Sequence, residues 1–97
     1  MARFAATVRF TSQGLQKIQD TTKRAKAFQT AAKKLGVKVL DLYWSLGPFD
    51  GLLILDAPDS QTATAAMLHL SAQGNVQTRT TEIFTAADME QVLAKLR

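Results

Sequence analysis

The sequence predicts an α+β domain in which the elements run β-α-β-β-α-β, with one further helix at the C-terminus. Three observations predict it. Two β-rich runs, Val37–Leu46 and Gly51–Ala57, are joined by Gly47-Pro48-Phe49-Asp50-Gly51, a short connection dense in turn-forming residues and therefore a hairpin signature. A stretch of strict alternation opens the chain, and a polar, β-branched stretch lies near its end. Two segments with helical apolar spacing sit one on each side of the hairpin, which is the split βαβ, ferredoxin-like order. At 97 residues the chain is a single domain, residues 1–97. Its expected form is a four-stranded antiparallel sheet with helices on one face and the strands at 3–10 and 51–57 in the middle.

In chain order, Arg3–Phe10 places Phe4, Ala6, Val8 and Phe10 on one face and Arg3, Ala5, Thr7 and Arg9 on the other. Thr11-Ser12-Gln13-Gly14 breaks the strand, and Leu15–Gln19 suits a single helical turn. The first full helix carries Ala25, Phe28, Ala32 and Leu35; Thr21 or Thr22 is positioned to cap it and Gly36 to stop it. Lys23 and Arg24 oppose the macrodipole at its start. In the hairpin, Leu52-Leu53-Ile54-Leu55 is apolar on both parities, so the strand is central and buried on both sides. The second strand also has apolar residues on both parities, Leu40, Leu42, Trp44 and Leu46 opposite Val39 and Tyr43. Asp59 is placed to cap a helix whose stripe is Ala63, Ala66, Met67 and Leu70, closed by Gly74-Asn75. Val76–Phe84 is polar enough for an edge strand or a wet cavity. Thr85-Ala86-Ala87-Asp88 reads as a capping box with Asp for the usual Glu, ahead of a helix striped by Met89, Val92, Leu93 and Leu96.

Composition narrows the function classes. The chain has no cysteine, which removes disulfides, thiolate nucleophiles and Cys-based zinc sites. Its one histidine, His69, rules out a multi-histidine site built by a single chain; no metal and no cofactor is expected. No apolar run approaches a membrane span and no secretory h-region follows Arg3, so the default reading is a cytoplasmic protein. The net charge of +4 is uneven: residues 1–38 carry nine Lys or Arg against one acid, and residues 39–97 three against seven. Attraction between these parts, within the fold or across an oligomer, explains the asymmetry without nucleic acid, whose binding surfaces add aromatic or recognition-helix features not found here. No hydrolase triad, phosphate loop or dinucleotide fingerprint is present.

Helices on one face leave the other face of a two-sided apolar sheet wet, at a cost of about 1.5–3 kcal/mol for each large side chain left exposed. Pairing of two such sheets, the dimeric α+β barrel arrangement, removes that cost and predicts a homodimer or higher homo-oligomer.

Four stretches carry a resemblance: Asp20-Thr21-Thr22-Lys23-Arg24-Ala25, Tyr43 to Gly51, Asp56-Ala57-Pro58-Asp59, and Gly74-Asn75-Val76-Gln77-Thr78. In order and spacing they resemble the GYD domain family, small and mostly bacterial proteins named for a Gly-Tyr-Asp signature. Gly47 and Asp50 match that signature, whereas Phe49 stands where its tyrosine would be, so no role for a phenol hydroxyl carries over. The resemblance implies the dimeric α+β barrel fold but brings no established activity with it. Its fold relatives include cofactor-free monooxygenases, isomerases, haem-binding enzymes and sensory domains, and fold at that breadth fixes no chemistry.

The candidate site residues are Arg9, Asp41, Tyr43, Asp50 and Arg79. Arg9 shares the face of Thr7, away from the helices; Asp41 and Tyr43 share one parity of the second strand, Arg79 and Thr81 one of the fourth. If all those parities face the open side, they line an interfacial cavity suited to a small organic acid or a phenolic ligand. The plainer alternatives are an ordinary ion pair, solvated edge strands, and an Asx-type turn bond for Asp50. No catalytic residue is identified. Three functions follow: an oligomeric protein binding a small organic ligand between sheets, a cofactor-independent monooxygenase or isomerase using the same cavity, or a structural assembly module without a ligand.

Overall fold

The computed structural model describes residues 1–97. Its strands are β1 (Ala2–Phe10), β2 (Lys38–Trp44), β3 (Gly51–Ala57) and β4 (Val76–Ile83), and its helices α1 (Ser12–Gln16), α2 (Thr21–Lys34), α3 (Ser60–Ala72) and α4 (Ala86–Ala94). The strands form one antiparallel sheet in the order β2-β3-β1-β4, so the central pair is the expected one.

Strand alternation decides which side is covered. On β3, Leu53, Leu55 and Ala57 are buried beneath α2 and α3 while Leu52, Ile54 and Asp56 between them are only partly buried. Register extends the covered face sideways: Phe4 sits opposite Leu55 and Ala6 opposite Leu53. Phe28 and Ala32 of α2 and Ala63, Ala66 and Met67 of α3 complete one core. The small residues on both helices let their backbones lie close to the sheet.

Local signals act as the sequence implies at most boundaries. The Asp59 carboxylate accepts from the Thr62 N–H at 2.7 Å. Thr85 and Asp88 form a reciprocal capping box, with bonds of 3.1 and 3.0 Å. Gly36 and Gly74 adopt φ of 85° and 83° where α2 and α3 end, a left-handed cap that disfavours a Cβ.

Four details depart from expectation. The chain turns helical directly at Ser12, because the Thr11 hydroxyl accepts from the Gly14 N–H at 3.1 Å and caps α1; Ile18–Asp20 is a further 3-10 turn. Asp20 precedes α2 without a side-chain capping bond, so neither Thr21 nor Thr22 is the cap. A β-bulge between Val39 and Asp41 inserts a residue into β2 and switches its parity. Val39 therefore joins Leu42 on the core side, opposite Leu55 and Leu53, instead of sharing a face with Tyr43. Leu46 lies outside the strand and is wholly exposed.

The last helix is the exception to packing. α4 has no buried residue: Met89, Val92 and Leu93 are each about 40 % exposed and Leu96 is 80 % exposed. The radius of gyration is 14.6 Å, against roughly 12.5 Å for a compact chain of this length. The long axis reaches 53 Å while the thin one is 17 Å, the depth of one sheet with one helix layer.

Candidate functional site

The open side of the sheet is an ordered grid of side chains. One row reads Tyr43, Leu52, Thr7, Arg79 and the next Asp41, Ile54, Ala5, Thr81, crossing β2, β3, β1 and β4 in turn. Arg9 pairs with Gln77, which makes it a diagonal neighbour of Arg79. The five candidate residues thus divide into three places. Arg9 and Arg79 form a basic corner on β1 and β4; Asp41 and Tyr43 lie on the opposite edge strand. From β2 to β4 is three strand spacings, roughly 14 Å, so one chain does not bring these two pairs into contact. Asp50 stands apart in the hairpin connection.

Asp50 has a structural task. Its Oδ2 accepts from the Phe10 N–H at 2.8 Å, its own N–H donates to the Val8 carbonyl at 2.7 Å, and its carbonyl accepts from the Ser45 N–H at 2.9 Å. The bond reaches across to β1 instead of closing a local Asx turn, so Asp50 ties the hairpin to the end of the central strand. His69 is exposed on α3, with Nε2 3.5 Å from Gln73 Nε2.

The one ion pair also lies on the open side. Arg3 Nε donates to Asp56 Oδ1 at 2.9 Å and Arg3 Nη2 to Oδ2 at 3.3 Å, a two-pronged contact between neighbouring strands. That hydrogen bond, with the charge of Arg3, holds the Asp56 carboxyl below its usual range and raises Arg3 further. Asp59 and Asp88 are lowered by the backbone N–H groups they cap, those of Thr62 and Thr85. All four displaced titrations therefore have structural causes.

A cavity exists, and it opens on the covered side of the sheet. Of about 70 Å³, it is walled mainly by apolar side chains, among them Val8, Phe28, Leu53 and Leu70. Arg24, Trp44 and Asn75 border it. Trp44 is fixed there by its indole N–H, which donates to the Thr21 hydroxyl at 3.0 Å. Arg24 Nη1 donates to the Lys17 carbonyl at 2.6 Å and Nη2 to that of Gly14 at 3.3 Å. Neither Arg24 nor Trp44 stands out in the sequence, because the cavity joins residues from α2, the end of β2 and the start of β4. A signal for them exists nonetheless: three of the four stretches that carry the family resemblance, 20–25, 43–51 and 74–78, meet around this cavity.

Comparison with known proteins gives this geometry its relatives. Over 90 residues the chain is 33% identical to the "glutamine synthetase and cystathionine beta-lyase binding protein" of Thermus thermophilus, covering 92% of this chain and 95% of that protein. Among solved structures, MtbAldR superposes with a TM-score of 0.67 at 18% identity, over 87% of this chain and 53% of its own, so the present chain spans about half of it. TTHA0845, also of Thermus thermophilus, superposes with a TM-score of 0.58 at 19% identity, over 89% and 96%. These two likenesses are of fold. The family model of the GYD domain matches residues 4–93, nearly the whole length, and the chain belongs to the GYD domain family.

Proposed function

We propose that the chain is a binding module that pairs with a second copy through the open face of its sheet and, in that form, docks onto a metabolic enzyme. The observation that carries this reading is the central strand: Leu52 and Ile54 of β3 present apolar surface on the side that no helix covers. Leu52 and Ile54 are already partly buried in the single chain, so completing their burial favours association by less than the ~1.5–3 kcal/mol that full transfer of each would give, before the entropy lost on pairing. Charge distribution on the same face favours a twofold stacking. Asp41 lies on the β2 edge and Arg9 and Arg79 lie toward β4, so laying β2 over the partner's β4 brings opposite charges together.

The name of the Thermus relative supports the second half of the reading, since that protein is designated by the two enzymes it binds. A small ligand held between the paired sheets, with Arg9, Arg79, Asp41 and Tyr43 on its walls, is the form the reading takes if the stacked faces leave a gap.

The test is a binding titration. The chain and its Ile54→Lys variant are mixed with purified glutamine synthetase and cystathionine beta-lyase of its own organism, and complex formation is read by light scattering after size exclusion. Wild type is expected to form a complex with at least one enzyme and Ile54→Lys with neither. Failure with both enzymes, or binding unchanged in the variant, overturns the reading.

A further inference from the structure

The geometry points to a second, separate site: the cavity under α2 and α3 holds a short branched aliphatic carboxylate, with its alkyl group among Val8, Phe28, Leu53 and Leu70 and its carboxylate on Arg24. Size sets the alkyl group. About 70 Å³ is roughly half the engineered cavity that takes a benzene ring, and it suits a branched three- or four-carbon group.

Arg24 sets the headgroup. Arg24 is partly buried and its guanidinium spends two of its N–H donors on main-chain carbonyls, yet it pairs with no carboxylate, since the only ion pair in the chain joins Arg3 and Asp56. A guanidinium with its remaining donors beside an apolar cavity is matched by the planar, two-oxygen acceptor of a carboxylate. Asn75 borders the same rim, where its Oδ1 accepts from Gln13 Nε2 at 2.9 Å. The one acid at the cavity, Asp50, has an oxygen engaged by the Phe10 N–H, which lessens its repulsion of an anion.

Tyr43 and Leu52 of the open-face row also border the cavity, but Arg24, Phe28, Leu53 and Leu70 line it from the helix-covered side, so the site does not depend on pairing and survives the failure of that reading. Its position also follows the family: residues 20–25, 43–51 and 74–78 supply Arg24, Trp44 and Asn75 to one rim.

Trp44 is the only tryptophan and borders the cavity, so its emission reports occupancy directly. The probe is 3-methylbutanoate, titrated at constant ionic strength against 3-methylbutanamide and acetate. A saturable change is expected with 3-methylbutanoate, with affinity at least tenfold weaker for the neutral amide and for acetate. Arg24→Gln is expected to weaken 3-methylbutanoate at least tenfold while leaving the amide unchanged, and Arg24→Lys, which keeps the charge but loses the planar fork, to recover only part of that loss. Leu70→Phe fills the cavity without touching Arg24 and is expected to abolish the response, with circular dichroism confirming that each variant is folded. Equal responses to 3-methylbutanoate and acetate, or full affinity in folded Leu70→Phe, overturn the assignment; should Arg24→Gln fail to fold, Leu70→Phe decides alone.

Discussion

The two sides of β3 are built from nearly the same residues and live in different surroundings. On one side Leu53, Leu55 and Ala57 lie under helices, Leu55 with no exposure at all; on the other, Leu52 and Ile54 are only partly buried, and Ile54 is the same-face neighbour of Asp56 in the Arg3–Asp56 ion pair. Hydrophobicity therefore does not distinguish the covered face from the open face within one strand. What differs is the neighbours: the covered face has only apolar buried groups, whereas the open face mixes apolar side chains with Arg3, Asp56, Asp41 and Arg79. Such a mixture suits an interface better than a core, since interfaces keep polar groups to fix register and partner.

The contrast is sharpest in matched substitutions on adjacent residues. Leu55→Ala empties a fully enclosed position and is expected to cost about 2–5 kcal/mol in urea unfolding. Ile54→Lys, one residue away, is expected to cost the folded chain less than about 1 kcal/mol, with its main effect on association. Equal losses for the two would erase the distinction between the faces.

Close packing on the covered side extends to the seam between α1 and β4. A Cβ on Gly14 would run into the Asn75 carbonyl, which itself accepts from the Thr11 N–H at 3.0 Å. Gly14→Ala is expected to destabilise by about 1–3 kcal/mol, an overpacking cost that a melting curve resolves.

Acid should act on the open face and the helix caps, and spare the core. Asp56, Asp59 and Asp88 all have lowered folded-state titrations, so the stability they contribute is present above the ordinary carboxylate range and is lost as pH falls through their depressed values. The melting temperature is expected to hold from neutral pH to about pH 5 and fall below about pH 4. Asp56→Asn is expected to flatten part of that fall, and no change in slope would show that the Arg3–Asp56 pair contributes nothing.

The smallest effect is expected at α4, in which no residue is fully buried. Removing residues 86–97 from the Ile54→Lys variant should shift its melting temperature by less than about 4 °C. A larger fall would mean that the stripe of Met89, Val92, Leu93 and Leu96 packs within one chain in solution.

Much of this is legible in the sequence, for identifiable reasons. Strand order follows from the apolar run at 52–55, and the Asp59 and Thr85 caps and the Gly36 and Gly74 stops are local chemistry that few neighbours can override. The bulge at Val39 is hidden because β2 is apolar on both parities, so either register buries similar residues. Asp50 reads as a turn residue because nothing local marks a bond forty residues back, to Phe10. The Arg24 and Trp44 rim is invisible to spacing since α2, β2 and β4 assemble it only on folding.

Sedimentation equilibrium on the unmodified chain at micromolar concentration tests the open face most directly. Pairing predicts a mass of twice 10.6 kDa or a higher multiple for wild type and 10.6 kDa for folded Ile54→Lys. A wild-type mass of 10.6 kDa across the concentration range would contradict it.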